Sequence, residues 1–246
     1  MMLTGLVALL PFVFVVDVPK RLGAAGIGWL LIAGGGNVAG LLLAYSALRI
    51  GMVGIVAPIL STEGALAALI SLLAGESLGV EPALLLAVIV IGVALAAAAP
   101  DRARVSTALR LRPVLLAVCA AAAFGLSLYA AGRQSASLAV PWVLLPARLI
   151  GVAAIAVPLL MRGRLQLTRA AAPLVLAGGL CEVLGFGAYA LGARHGIATA
   201  AVLSSQFGAL ASVAAFMLFR ERLTRVQLCG VVIIVIGVSA LSYVRG

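Results

Sequence analysis

Residues 82–99 read PALLLAVIVIGVALAAAA, an apolar stretch without a single charged side chain. About 20 such residues cross a hydrocarbon layer of roughly 30 Å as a helix, so this stretch is typical of a membrane span. Charged residues and Pro/Gly-rich breaks divide the rest of the chain into further apolar segments at 3–16, 25–48, 52–74, 113–131, 139–161, 173–194, 198–219 and 226–244. The segments lack the alternation of barrel strands, so the sequence predicts an all-α integral membrane protein with about nine transmembrane helices.

The composition supports a membrane protein and argues against several other classes. Hydrophobic residues make up 65% of the 246 residues and charged residues 10%, whereas soluble domains carry about 25% charged residues. The net charge of +10 comes from cations in short gaps between apolar segments, which gives no continuous basic face for nucleic acid. One histidine and three scattered cysteines provide no metal-binding pattern. We therefore expect no metal, no cofactor and no enzymatic activity.

The two halves of the chain repeat each other. A shift of 145 residues places the pentapeptide IVIGV at 89–93 on an identical pentapeptide at 234–238, and it also aligns Glu76 with Glu221. A shift of 144 residues aligns the GALA sequences at 64–67 and 208–211. The sequence therefore predicts a first repeat at 1–99, a linker at 100–112 and a second repeat at 113–246.

Each repeat ends with a helix, a short turn that holds Glu76 or Glu221, and a final helix that carries IVIGV. This pattern resembles EamA-type members of the drug/metabolite transporter superfamily. The resemblance implies ten helices in two inverted five-helix repeats around a central cavity. Glu76 and Glu221 lie at helix ends, which favours a turn or capping role over direct contact with the transported solute. Nine segments are present, and the counterpart of residue 113 would precede Met1, so we expect the first repeat to be N-terminally truncated.

Polar side chains near the centres of the apolar segments are the candidate site residues. A charge at that depth costs about 2.5 to 3.5 kcal/mol, so these groups should pair with each other or face water. Secondary transporters built from repeats bind substrate at this level. The candidates for substrate or proton binding are Glu63, Glu182, Arg148, Asn37, Gln206 and Tyr189.

Structural alternatives remain for every candidate. Arg148 and Glu182 could form an ion pair that only holds helices together, and Glu63 could serve packing instead of proton transfer. Asn37 and Gln206 could form hydrogen bonds between helices. Tyr189 could line a cavity or lie at the membrane interface.

The sequence predicts a secondary transporter or exporter of a small metabolite or drug in the plasma or inner membrane. No GxxxxGK[ST] motif is present, so ATP is not the direct driver, and coupling to protons through Glu63 or Glu182 is the expected energy source. Exchange without protons is the open alternative. The alternatives are a membrane-embedded enzyme that acts on lipid-linked substrates and a packing subunit that transports nothing. The expected partners are the lipid bilayer and a small-molecule substrate, with a homodimer left open. Most loop lysines and arginines lie on the side opposite the C-terminus, which places that terminus outside, whereas the resemblance implies a cytoplasmic one.

Overall fold

The computed structural model describes residues 1–19, 22–51, 53–96, 107–163, 168–169, 171–206 and 225–245. Within these ranges every regular element is helical. In chain order the helices are α1 (Met2–Val15), α2 (Ala24–Ile50), α3 (Val53–Leu60), α4 (Glu63–Leu73), α5 (Val80–Ala96), α6 (Thr107–Ser135), α7 (Val140–Gly151), a π-turn (Val152–Ala156), α8 (Val157–Met161), α9 (Ala172–Gly192), α10 (Ile197–Ser204) and α11 (Arg225–Arg245). The all-α fold class is thereby confirmed.

Four helical stretches in the described part of the chain are long and apolar enough to cross a bilayer. They are Ala24–Ile50, Leu111–Ser135, Val140–Met161 and Ala172–Gly192. The third runs through α7, the π-turn and α8 without interruption. Pro158 has no N–H to offer the preceding turn and its ring crowds the carbonyl four residues earlier, so a π-turn just before it relieves the clash.

The chain forms two compact units, and each of them contains segments from both sequence repeats. Unit 1 comprises Met1–Val38 and Leu126–Ile197, and unit 2 comprises Ala39–Gly125 and Ala198–Gly246. The compact units are therefore different from the two repeats.

In unit 1, helices of one repeat pack against helices of the other. Gly34 of α2 lies so close to the backbone of Pro146 and Ala147 in α7 that a Cβ would come within 2.9 Å of that backbone. Gly179 of α9 lies against Thr4 and the Met1 carbonyl of α1 in the same way. Gly34 and Gly179 are equivalent under the 145-residue shift, and so are the α1 and α7 surfaces they contact. The two contacts are therefore the same contact made twice.

In unit 2, the two copies of IVIGV pack on each other. A Cβ at Gly237 of α11 would lie 2.7 Å from Cγ1 of Ile89 in α5, and a Cβ at Gly92 would lie 3.0 Å from Cγ1 of Ile234. Both isoleucines are buried, in a core that also contains Leu86. Each glycine thus leaves room for the isoleucine of the other copy.

The segment predicted as one helix at 52–74 is broken in its middle. Helix α3 ends at Leu60 and α4 begins at Glu63, because the Ser61 hydroxyl donates to the Ala57 carbonyl at 3.0 Å and the Thr62 hydroxyl donates to the Ile59 carbonyl at 2.7 Å. Such local bonds compete with helix continuation. Glu63 therefore lies in the first turn of a helix and not at a helix centre, which corrects the sequence-based placement.

The second repeat has its own helix end at the equivalent place. Helix α10 ends at Ser204, and the residues that follow, Ser205 and Gln206, form a turn. Under the 144-residue shift, α10 coincides with α3 residue for residue. Gly64, just after the break in the first repeat, contacts Ser205 and the Ala201 carbonyl. Gln206 accordingly lies after a helix end, whereas the sequence placed it near a helix centre.

Candidate functional site

Arg148 and Glu182 form a buried ion pair in unit 1. The Arg148 Nη1 atom lies 2.8 Å from Oε2 of Glu182, and the two side chains are 1% and 16% exposed. Arg148 is held on α7 and Glu182 on α9. Both helices lie in long apolar stretches, so the pair places two opposite charges in the apolar part of the unit. The structure thus brings together two of the residues that the sequence singled out.

The guanidinium of Arg148 has few hydrogen-bond acceptors around it. Its Nη1 donates to the thioether sulfur of Met2 at 3.4 Å, which is a weak acceptor. Its Nε is buried without a hydrogen-bond partner in the described residues, and Oε2 of Glu182 approaches Nη1 without hydrogen-bond alignment. A buried donor without an acceptor costs about 1 to 3 kcal/mol, more when it is charged.

Helix α1 covers the arginine. A Cβ at Gly5 would lie 3.3 Å from Cδ and 3.4 Å from Nε of Arg148, and the same Cβ would lie 3.2 Å from Cγ2 of Val183. Met2 also lies against Gly151, one turn after the arginine. A residue with a side chain at position 5 would press on the guanidinium, so glycine keeps space beside Nε.

A small cavity adjoins the ion pair. Its volume is about 10 Å³, enough for one water molecule. It is lined by Ala33, Ser127, Ala131, Val143, Leu144, Ala147, Arg148, Phe186 and Ala190. Phe186 follows Glu182 by one helical turn, on the same face of α9. The cavity therefore begins next to the charged pair, and its wall is apolar apart from Arg148 and Ser127.

Asn37 and Tyr189 are the other candidate residues in unit 1. Asn37 is 1% exposed, and its Oδ1 has no hydrogen-bond partner among the described residues. The Tyr189 hydroxyl donates to the Leu128 carbonyl at 2.6 Å and thereby joins α9 to α6. Tyr189 is buried, so its position supports a packing role more directly than an interfacial one.

Glu63 and Gln206 belong to unit 2. Glu63 opens α4, where the partial positive charge of a helix N-terminus favours a carboxylate. Gln206 has a buried Nε2 without a hydrogen-bond partner in the described part of the chain. Each of the two residues lies close to the end of a helix, Glu63 after α3 and Gln206 after α10.

The comparisons with known proteins decide the family. The EamA-like transporter family matches residues 111–243, which is more than half of the chain. The chain belongs to the EamA-like transporter family. This family is part of the drug/metabolite transporter superfamily. The EamA assignment makes the chain a membrane transporter of that type.

A solved structure supports the fold of this EamA-like protein. A crystal structure described only as that of a protein has a TM-score of 0.67 and 16% sequence identity, and the match covers 98% of this chain and 97% of the other. At this identity the likeness concerns the fold alone. No curated protein matches the chain.

Glu76 of the EamA-like chain caps a helix of the other repeat. Its Oε2 accepts a hydrogen bond from the Ala198 backbone N–H at 3.1 Å, at the start of α10, and another from the Ser71 hydroxyl. A carboxylate at a helix N-terminus satisfies a free donor and interacts favourably with the helix dipole. Glu76 therefore has the capping role expected from its position at a helix end. Glu221 lies outside the described residues.

Sequence reasoning missed several groups that surround the site. Met2 and Gly5 contact Arg148, and the Ser127 hydroxyl donates to the Ala33 carbonyl at 2.6 Å in the cavity wall. Met2, Gly5 and Ser127 carry no charge and belong to no sequence motif. The one sequence signal for Met2 and Gly5 is that the 145-residue shift aligns them with residues 147 and 150, on either side of Arg148. Ser127 lies in α6, before the part of the second repeat that aligns with the first.

A second missed group lies elsewhere in unit 1. The guanidinium carbon of Arg133 lies 5.1 Å from the ring centre of Trp29 and 5.9 Å from that of Tyr129. The two rings meet edge to face, and Arg133 also donates to the Tyr129 hydroxyl at 3.1 Å. Cation–π contacts of this kind join helices α2 and α6.

Proposed function

We propose that this EamA-like protein is a secondary transporter that moves a small metabolite or drug outward across the plasma or inner membrane by alternating access. The observation that carries the proposal is the buried pair of Arg148 and Glu182. Charged residues within membrane spans are rare, and they commonly mark the path of a substrate or ion. The pair lies beside a cavity and so has space next to it.

A buried ion pair of this kind contributes little to the stability of the fold, so stability alone does not explain its presence. Removing two charges from water costs several kcal/mol per ion, and a well-packed apolar replacement of a buried pair is often neutral or stabilising. The poorly satisfied guanidinium of Arg148 makes the cost larger still. A functional role accounts for charges that packing does not require, and this favours a transporter over a packing subunit.

The broken helices are the second feature that fits transport. Helices interrupted near the membrane centre are typical of transporters built from repeats, because the interruption exposes backbone groups and lets the two ends move separately. The α3–α4 break and the end of α10 occur at equivalent places in the two repeats. Their close contact at Gly64 and Ser205 supports a role in the conformational change.

Proton coupling is part of the proposal. Glu63 and Glu182 are carboxylates in apolar surroundings that can gain or lose a proton during the transport cycle. Glu63 is the favoured proton carrier, because Glu182 already faces Arg148. The energy would then come from the proton gradient.

A membrane-embedded enzyme is the main rival. Enzymes that act on lipid-linked substrates use paired carboxylates or histidines that hold a metal ion near the interface. The described residues contain no group of three or more His, Cys, Asp or Glu side chains that could hold a metal. The carboxylate of Glu182 is paired with a cation instead, which favours a carrier.

An efflux experiment without a chosen substrate tests the proposed function. The purified protein is reconstituted into liposomes loaded with a small-molecule cell extract, and mass spectrometry measures which compounds leave when a proton gradient is applied. We expect a few compounds to leave faster than from protein-free liposomes. The double variant R148M/E182Q, which lacks both charges of the pair, is the control and should lose that efflux. Identical losses from liposomes with and without the protein would refute transport.

A further inference from the structure

We propose that Arg148 is a binding site for the carboxylate group of a small solute, and that Glu182 occupies this site as an internal substitute when no solute is bound. Since the site lies in the proposed transport path, the inference rests on the proposed function and adds a substrate class to it. The ligand is a small organic anion, or a zwitterion that presents a carboxylate.

The charge of Arg148 defines the class of ligand. A guanidinium stays protonated at every pH that a protein experiences, so a buried arginine needs an anion beside it. Glu182 is the only acidic side chain that forms an ion pair with it in the described residues. Any group that takes the place of Glu182 must therefore also be an anion.

The geometry of the pair leaves hydrogen-bond donors of Arg148 that a second anion could use. A guanidinium is a planar fork that binds a carboxylate best through two parallel hydrogen bonds. Here Glu182 approaches one nitrogen, Nη1, without hydrogen-bond alignment, and Nε has no acceptor in the described part of the chain. Met2 offers only a thioether sulfur. A free carboxylate can take a better position than Glu182, which is fixed to α9.

The cavity provides the place for the rest of the solute. Its lining residues reach from Arg148 along the face of α9 that carries Phe186 and Ala190. At about 10 Å³ the cavity holds one water molecule, so a solute must widen it by separating α9 from α7. Because Arg148 lies on α7 and Glu182 on α9, that separation would also draw Glu182 away from Arg148. Binding and opening are therefore one event.

Two variants that differ by one side chain test the assignment. E182Q keeps Arg148 and removes the internal competitor, whereas R148M/E182Q removes the guanidinium as well and so lacks both charges of the pair. Thermal unfolding of each purified protein is measured with monocarboxylates of two to nine carbons and with their matched primary amides. We expect at least one carboxylate to raise the unfolding temperature of E182Q, with an apparent Kd about tenfold below that of the wild type. We expect no shift for R148M/E182Q and none with the amides.

Several results would overturn the inference. These are the absence of any stabilising carboxylate for E182Q, equal shifts in R148M/E182Q, or equal shifts with the amides. The efflux experiment separates this failure from failure of the proposed function. If liposomes with the wild-type protein release neutral or cationic compounds and no carboxylates, transport stands and the anion site does not exist.

Discussion

Ile89 of α5 packs directly onto Gly237 of α11, and the reciprocal contact joins Ile234 to Gly92. The 145-residue shift converts one contact into the other, as expected for an interface between two copies related by a twofold axis. The repeated pentapeptide therefore has a structural purpose, which is to allow two copies of one helix to approach closely through glycine.

Gly237→Ala should destabilise the protein. The added Cβ would lie 2.7 Å from Ile89 Cγ1, so the stiff isoleucine or a helix must move, at a cost of about 1 to 3 kcal/mol. Unfolding of the purified protein in detergent measures the effect. Gly185→Ala is the control, because nothing lies within 4 Å of its Cβ position. Ile89→Ala is itself destabilising because Ile89 is buried in the core, but it removes the clash, so the double variant Gly237→Ala/Ile89→Ala should lose less than the sum of the two single variants. Strictly additive effects would contradict the contact.

Breaking the ion pair should cost more than removing it. Arg148→Met removes the guanidinium that pairs with Glu182 and should destabilise by about 3 to 5 kcal/mol, whereas R148M/E182Q should be clearly more stable than Arg148→Met alone. Unfolding temperatures and the yield of folded protein measure both. Equal stability of the single and double variants would mean that Glu182 reaches water without Arg148.

Glu63→Gln should abolish transport that is driven by a pH gradient and leave exchange of substrate between equal pH values intact. The amide has nearly the shape of the carboxylate but cannot carry a proton. Uptake into proteoliposomes with and without a pH gradient measures the two activities. Glu81→Gln is the matched control, since Glu81 also lies in the first turn of a helix but is exposed. Unchanged gradient-driven uptake by Glu63→Gln would remove this residue from proton coupling.

Glu76→Gln should weaken the start of α10. The neutral amide accepts a weaker hydrogen bond from Ala198 and interacts less with the helix dipole, so we expect a loss of about 0.5 to 2 kcal/mol in the free energy of unfolding. Ser71→Ala should cause a smaller loss, because it removes one donor to the same carboxylate. Thermal unfolding measures both variants, and a stability equal to that of the wild type would show that the cap is dispensable.

Gly5→Ala should impair transport more than it impairs folding. Its methyl group would crowd Arg148 and Val183 at 3.2 to 3.4 Å, which demands only a small shift but narrows the space beside Nε. Gly35→Ala is a suitable control, because its Cβ position is open. Efflux rates and unfolding temperatures separate the two effects, and equal transport by both variants would show that the space beside Nε is unused.

The sequence predicted the fold class because it depends on composition and on the length of apolar segments, and both are local properties. The 145-residue shift found in the sequence also relates the contact of Gly34 with α7 to that of Gly179 with α1. The break after Leu60 was missed, because Ser61 and Thr62 are compatible with a helix and end it only through their particular hydroxyl bonds.

The candidate site was predictable only in part. Arg148 and Glu182 could be identified because an ionised group in an apolar segment needs a partner, and each was the obvious partner for the other. The contacts of Met2 and Gly5 with the arginine could not be anticipated, because they depend on how α1 lies over α7. Tyr189 shows the same limit, since its hydroxyl bond to Leu128 follows from helix packing and not from spacing.

The crossed packing in unit 1 has a consequence for biosynthesis. Gly34 of α2 meets α7, and Gly179 of α9 meets α1, so neither repeat contains the surface against which its own glycine helix fits. During synthesis α2 enters the bilayer about a hundred residues before α7 leaves the ribosome. Its small-residue face must remain lipid-covered or held by the insertion machinery during that interval, and the fold closes only when the second half arrives.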